Sequence, residues 1–396
     1  MSTIWWIGTA VALVAASVMV AELGTRRWLR ARRRYYLWPP NQVLELEFDP
    51  ELARHIGPRA RFAVNSDGHR GEPVPRNVER LCRVLVFGSS ATECYFLDQE
   101  ASWPMVLQRI LERPENLRKL GASYVHVANL GRPSVEGEAL DLILRVTLER
   151  TGHVAMIVIM VGASAVVNWL ETGAPERPVS LAPLVSDLFA WHPEGPFAWT
   201  AKRTALAEVV RRVRDCTLHR VVRRSGVGKS LLRARLMRRE ATEIRNTVGD
   251  SSFVMASFEK HLHRAVSRAK AAADRVIIVR QPWFQKDEFS QEEMACFWNG
   301  SVGNAYEGEV STFYSNEVMF RLLDEMDVCV VRVSEALGVE QVEIRTQLEP
   351  SLKTYYDHIH LTPSGSAKVA DLIAKAILAE KHGRKQLPSV TTDAFA

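Results

Sequence analysis

The chain has 396 residues, of which 47% are hydrophobic and 24% charged, enough apolar material for one large α/β domain with additions or for two small domains. The formal net charge of +5 is modest for this length and local in origin, so it points to no nucleic-acid partner. Five cysteines (Cys82, Cys94, Cys216, Cys296 and Cys329) form an odd set without a CxxC pair, which argues against a disulfide framework and against a zinc site.

From Thr3 to Ala21 no residue is charged, and the stretch is rich in Ile, Val, Ala and Trp. About 20 apolar residues cross a bilayer as a helix. Trp5 and Trp6 sit where an interfacial belt is expected. No Lys or Arg precedes the run, unlike the basic start of a cleaved signal, so a retained single-pass anchor is expected. Arg26, Arg27, Arg30, Arg32, Arg33 and Arg34 follow at once. The positive-inside rule keeps such a cluster in the cytoplasm, and it can also meet anionic head groups there.

Residues 35–80 are polar and Pro-bearing without clear periodicity, and read as a linker and a lead-in segment. The run Arg83–Phe87, closed by Gly-Ser-Ser, reads as a buried strand. Trp103–Leu120 has helical spacing. Tyr124–Leu130 reads as a strand, Val135–Thr151 as a helix and Val154–Val161 as a strongly apolar strand. Arg275–Val279 and Asp327–Val331 read as further strands, and a last helix runs from Pro363 to about Ala379. Strands alternating with helices predict a parallel sheet covered on both faces.

Residues 171–260 break that rhythm. They hold no convincing strand, Pro-rich turns near Ala174–Pro183 and Trp191–Pro196, and a basic helical stretch from Lys202 to Arg239. The expected division is a transmembrane anchor over 1–24, a basic stem and lead-in over 25–80, and a core over 81–170 and 261–382. A helical basic insertion over 171–260, serving as lid or partner surface or simply solvated, and a flexible tail over 383–396 complete it. Within the insertion, Ser225–Ser230 imitates a phosphate loop. The first glycine of that motif falls on Arg223, and the preceding chain reads as helical rather than strand, so no nucleotide is expected.

Two distant segments carry chemistry. Ser90 follows a predicted strand in Gly88-Ser89-Ser90-Ala91-Thr92, where an open parallel sheet binds ligands. A helix starting there would offer free N–H groups to a developing oxyanion, although a serine in that place also serves as a helix cap. Asp357-His358-Ile359-His360 precedes the last helix. A serine hydroxyl needs a base, histidine is the usual one, and a carboxylate fixes its tautomer. The two histidines can equally be a core or surface pair.

Together these segments resemble the SGNH, or GDSL-type, hydrolase superfamily, in its membrane-attached bacterial group. Gly88–Thr92 corresponds to the first block, Gly-Asp-Ser or Gly-Gly-Ser-Thr-Thr, and Asp357 with His360 to the last, Asp-x-x-His. Tyr356–Gly365 is close to Phe-Tyr-Asp-His-x-His-Leu-Thr-Pro-x-Gly, Asn65–Gly71 to Asn-Ser-x-Gly-Phe-Arg-Gly, and Trp103-Pro104 to Thr-Trp-Pro. The resemblance covers about residues 40–170 and 265–380. It implies a three-layer α/β/α flavodoxin-like fold with a parallel central sheet, no cofactor and no metal. It implies Ser90 as nucleophile, His360 as base and Asp357 as its support. The oxyanion donors it implies are the N–H groups of Ser90 and Gly131 and the third-block residue, where Ser164 replaces the usual asparagine.

The expected function is a membrane-anchored serine esterase or O-acyltransferase on acyl esters of a carbohydrate or lipid. A second reading, motivated by Ser164 and the long insertion, is a catalytically impaired accessory protein of a membrane assembly. A third is a thiol enzyme using Cys94. The resemblance places the domain outside the cytoplasmic membrane, whereas the arginine cluster places it inside.

Overall fold

The computed structural model describes residues 2–75, 78–177, 185–195, 197–200, 202–217 and 220–379. The tail over 383–396, part of the Ala174–Pro183 turn region, Pro196 and the Cys216 side chain lie outside the described residues. The chain opens with α1 (Ser2–Arg32), β1 (Gln42–Phe48), α2 (Pro50–Ile56) and β2 (Arg59–Ala63). The core begins with β3 (Leu81–Gly88), the single turn α3 (Ser90–Glu93), α4 (Trp103–Leu111) and α5 (Pro114–Leu120). It continues through β4 (Tyr124–Gly131), α6 (Gly137–Thr151), β5 (Val154–Met160) and α7 (Ala163–Glu171). Next come α8 (Val185–Leu188), α9 (Ala205–Thr217), β6 (Arg220–Val227), α10 (Lys229–Arg239) and β7 (Glu243–Arg245). The chain then returns through α11 (Ser252–Ala272), β8 (Ala273–Val279), α12 (Gln291–Ala295) and β9 (Thr312–Tyr314). It ends on α13 (Asn316–Leu337), β10 (Glu340–Val342) and α14 (Pro363–Leu378).

Five strands form the central sheet in the order β4-β3-β5-β8-β10, every neighbouring pair parallel. Numbered along the sheet's own strands this is 2-1-3-4-5, the flavodoxin-like order. The pleat divides the strand residues between two cores. Leu85 and Phe87 of β3 with Ile157 and Ile159 of β5 face α6, α7, α11 and α13. Val84 and Val86 with Val158 face α4 and α14. Burial on both faces explains why these strands read as continuous apolar runs. The result is three layers, α/β/α.

Several expectations are corrected. Asp327–Val331 is not a strand but lies inside α13, where Leu322, Leu323, Met326, Cys329, Val330 and Val333 are buried at helical spacing. A short β-branched run cannot be told from a buried helix segment by composition. The sheet's fifth strand is instead β10, only three residues long. Trp103–Leu120 is two helices, because Pro114 lacks an N–H and holds Arg113 extended (φ −60°, ψ 139°).

The region 171–260 contains two strands, β6 and β7. β6 runs parallel to β1, which pairs antiparallel with β2, so the lead-in segment and the insertion share a three-stranded sheet. A strand therefore does precede Ser225–Ser230, contrary to the helical reading, and Arg223 in it bonds Glu45 (2.8 Å). Basic α10 is not merely solvated: Leu231, Ala234 and Arg235 are buried on its inner side.

Among the described residues one helix, α1, is long and apolar enough to cross a membrane, and that stretch is almost wholly exposed. At its end Glu22 is buried, and its carboxylate accepts from the N–H groups of Ala205 (2.7 Å) and Leu206 (3.0 Å) at the start of α9, and from Arg26 (2.7 Å). α1 is thereby fastened to the domain by two N–H donors that helix geometry leaves unpaired.

Candidate active site

β3 ends at Gly88, where a Cβ would collide with the Thr92 side chain and the carbonyl of Met160 on β5. That close approach requires glycine and lets the chain turn sharply into α3. Ser90 is the first residue of α3, beyond the carboxyl end of β3. Ser164 lies in the first turn of α7, beyond β5. The two serines thus follow the strands flanking the topological switch point, the usual ligand crevice of open α/β sheets.

Asp357 and His360 belong to the loop between β10 and α14. It is pinched by the Tyr355–Leu361 bridge and by the Tyr356 N–H donating to the His360 carbonyl (3.0 Å). Thr362 caps α14 and Pro363 opens it. The folding brings residues 270 positions apart together: the Ser90 hydroxyl stands 2.8 Å from His360 Nε2. His360 Nδ1 faces Asp357 at 2.8 Å from Oδ2 and 3.0 Å from Oδ1. With the Nδ1 proton donated to Asp357, Nε2 is left to accept from Ser90. Hydroxyl, imidazole and carboxylate in series are what general-base activation of a serine needs.

Asp357 is completely buried. It also accepts from the N–H groups of Ile359 (2.9 Å) and His360 (2.8 Å) and from the indole of Trp298 (2.7 Å). Burial alone would raise its pKa, but the charge and hydrogen bond of His360, with those other donors, hold it well below the usual carboxylate range. Trp298 also stacks on His360 (centroids 6.4 Å), as does Tyr356 (5.5 Å). His358 takes the other role open to this loop. It is buried on Phe297 (4.0 Å) with Nε2 on Asn316 Oδ1 (3.1 Å), and burial pushes its imidazole well down, toward the neutral form.

The oxyanion candidates are less open. The Gly131 N–H donates to Asn129 Oδ1 (2.9 Å). The Asn129 amide in turn donates to the Thr92 carbonyl (2.9 Å), and a Cβ on Gly131 would strike the backbone of Glu93. Strand β4 is therefore locked against the turn that carries Ser90. Cys94 is buried and its thiol is pushed up to about 11 by desolvation, which disfavours the thiolate a cysteine enzyme needs.

Three supporting residues were not singled out by sequence. Trp298 orients Asp357. Arg235 of α10 donates to the carbonyls of Tyr356 (2.6 Å) and Cys296 (3.1 Å), so the insertion braces the histidine loop. Arg70 lay within a noted motif but without a role. It is wholly buried and donates to the carbonyls of Glu93 (2.6 Å), Cys94 (2.6 Å) and Leu97 (2.7 Å), gripping the end of the turn that carries Ser90.

Glu93 is buried just past Ser90, and its Oε1 has no hydrogen-bond partner among the described residues. Burial pushes its acid up to about 7, against the pull of Arg132, Arg70 and His360. The folded protein therefore holds this proton more tightly than the unfolded chain. The stability that goes with it is complete below the ordinary value of 4.5 and is lost as pH rises to about 7. Glu93→Gln, which keeps the neutral shape, is expected to match the wild type near pH 4.5 and to exceed it at about pH 8. At about 1.4 kcal/mol per unit, the gain is up to about 3 kcal/mol. Denaturant midpoints at the two pH values measure it.

No protein-family model and no curated protein matches the chain. Solved structures similar in fold include a member of the lipolytic protein G-D-S-L family from Veillonella parvula DSM 2008, at 10% identity and a TM-score of 0.37, covering 74% of this chain and 97% of that one. A catalytic mutant of an acetylxylan esterase from Geobacillus stearothermophilus is 11% identical with a TM-score of 0.41, covering 76% and 96%. An α/β hydrolase from the metagenome of Lake Arreo, Spain, is 12% identical with a TM-score of 0.39, covering 76% and 97%. Likeness at this level assigns no substrate and no residue role.

Proposed function

We propose that the chain is an SGNH-type serine esterase or O-acyltransferase, held at a membrane by α1, that acts on acyl esters of a carbohydrate or lipid. The observation that carries this reading is the continuous hydrogen-bond series from Asp357 through His360 to Ser90. His360 Nε2 takes the hydroxyl proton as Ser90 Oγ attacks the ester carbonyl. Asp357, held ionised, keeps the imidazole in the right tautomer and balances the imidazolium that forms. His360 then gives the proton to the departing alkoxide, leaving an acyl group on Ser90. Water or a sugar hydroxyl attacks that group as His360 takes its proton, and His360 returns the proton to Ser90 Oγ as the acyl–Oγ bond breaks. The N–H of Ser90 and the hydroxyl of Ser164 hold the oxyanion, and the N–H of Gly131 joins them on leaving Asn129.

The capture of the Gly131 N–H by Asn129 and the serine at position 164 favour a slow enzyme. They also favour the second reading, an accessory protein without turnover. Loss of one oxyanion donor lowers a rate by roughly 10²–10³. Ser164→Asn, which restores a side-chain amide, is therefore expected to raise kcat by up to about 10² with KM little changed.

The experiment is acetate release from peracetylated cellobiose and fatty-acid release from a diacylglycerol by the purified full chain. Turnover of either that Ser90→Ala abolishes supports the enzyme reading, and none with both supports the accessory one. A C-terminal phosphatase fusion, active only outside the cytoplasm, reports the side of the membrane.

A further inference from the structure

A second concavity lies where α1 meets the domain, a cavity of about 360 Å³. That volume falls in the range of small-molecule sites, about 300–1,000 Å³. Arg30 and Arg33, at the end of α1, line it together with Arg145 and Glu149 of α6, Tyr35 and Glu194. Three guanidinium groups thus border one cavity. Among the described residues none of them is closed by an ion pair or a side-chain hydrogen bond.

The acidic side of the cavity is organised differently. Glu194 accepts from the Tyr35 hydroxyl (2.6 Å), and the Tyr35 ring is set edge-on against Phe189 (5.2 Å). Glu149 lines the same cavity and, among the described residues, its carboxylate has no hydrogen bond or ion pair. Unpaired guanidinium groups are matched by a phosphate, which takes them in bidentate fashion. Carboxylates beside them are matched by hydroxyl donors. A ligand carrying both is a phosphorylated polyol.

The position along α1 narrows the source. Arg30 lies nine residues past Ala21, the end of the uncharged run, or about 13 Å along a helix. The polar layer of a bilayer extends only about 5–7 Å beyond the hydrocarbon. The cavity therefore stands above the phosphodiester of a simple phospholipid and within reach of a taller, sugar-bearing headgroup.

We propose that this cavity binds the phosphorylated polyol headgroup of a membrane glycolipid, with Arg30, Arg33 and Arg145 on the phosphate and Glu149 and Glu194 on hydroxyls. The inference rests on the reading of α1 as a membrane span and is independent of the chemistry at Ser90.

The test titrates the detergent-purified full chain with glucose 1-phosphate, inorganic phosphate and glucose by calorimetry. Glucose 1-phosphate is expected to bind at least about tenfold more tightly than phosphate, and glucose not to bind. Combined Arg30→Gln, Arg33→Gln and Arg145→Gln substitutions are expected to weaken glucose 1-phosphate by at least about tenfold, and Glu149→Gln to narrow its advantage over phosphate. Undiminished binding by the triple variant, or no binding by the wild type, overturns the site. In phosphatidylcholine nanodiscs, added phosphatidylinositol 4-phosphate should compete with glucose 1-phosphate. Failure to compete, with soluble binding intact, overturns the lipid source. Release of the chain from membranes by alkaline carbonate would instead fault the span itself. Unchanged circular dichroism and thermal midpoints of the variants report that they are folded.

Discussion

His360→Ala is expected to lower kcat/KM for p-nitrophenyl acetate by about 10⁴-fold, and Ser90→Ala by as much. The double variant should be no worse than either single one, because base and nucleophile act as a unit. The geometric reason is that, among the described residues, Ser90 has one base within reach, His360 Nε2 at 2.8 Å, and that base is fixed through Nδ1 by a buried carboxylate. His358, although adjacent in sequence, cannot substitute, since its ring is buried on Phe297 and engaged by Asn316. His358→Ala is accordingly a packing change, whereas His360→Ala is a chemical one. A steady-state assay of the three variants separates the roles, and similar losses in kcat/KM for the two histidines, in folded protein, would contradict this division.

The second large effect is expected at Arg70. Its guanidinium donates to three main-chain carbonyls and to Gln99 Oε1 (3.1 Å), and lies over the Phe62 ring (4.4 Å). The αL residue Cys94 (φ 54°) ends α3 at this point, where its carbonyl also accepts from the Leu97 N–H (2.9 Å) and that of Glu93 takes a longer bond from Asn129 (3.4 Å). Arg70→Met removes the short donors from these carbonyls and, among the described residues, leaves that of Leu97 with none, at about 2–4 kcal/mol in all. The same loss frees the turn that carries Ser90, so labelling by a fluorophosphonate should slow in protein that is still folded. Arg70→Lys should recover only part of both, because a single ammonium cannot reproduce the planar fork. Denaturant midpoints and labelling rates, measured in parallel, check the pair of effects.

Much of the site was legible in sequence because its signals are local. A buried strand followed by Gly-Ser-Ser, and Asp-x-x-His before a capped helix, each fix their own geometry over a few residues. Their meeting was inferable only from strand alternation and from the resemblance of both ends. What stayed hidden depends on long-range packing. Trp298 is one of ten tryptophans, and nothing local marks it as the partner of Asp357. β6 reads as part of a basic helical stretch because its pairing partner, β1, lies about 180 residues earlier. The Asp327–Val331 run reads as a strand because its β-branched residues favour that state, and only the burial pattern of α13 overrides the propensity. The engagement of the Gly131 N–H by Asn129 has no sequence signature.

The most direct test of the account is labelling of the full chain by a fluorophosphonate probe, with the modified residue located by peptide mass spectrometry. Covalent modification at Ser90, lost in Ser90→Ala and strongly slowed in His360→Ala, is the predicted result. Equal labelling of the wild type and Ser90→Ala, or no labelling of folded wild-type protein, would contradict it.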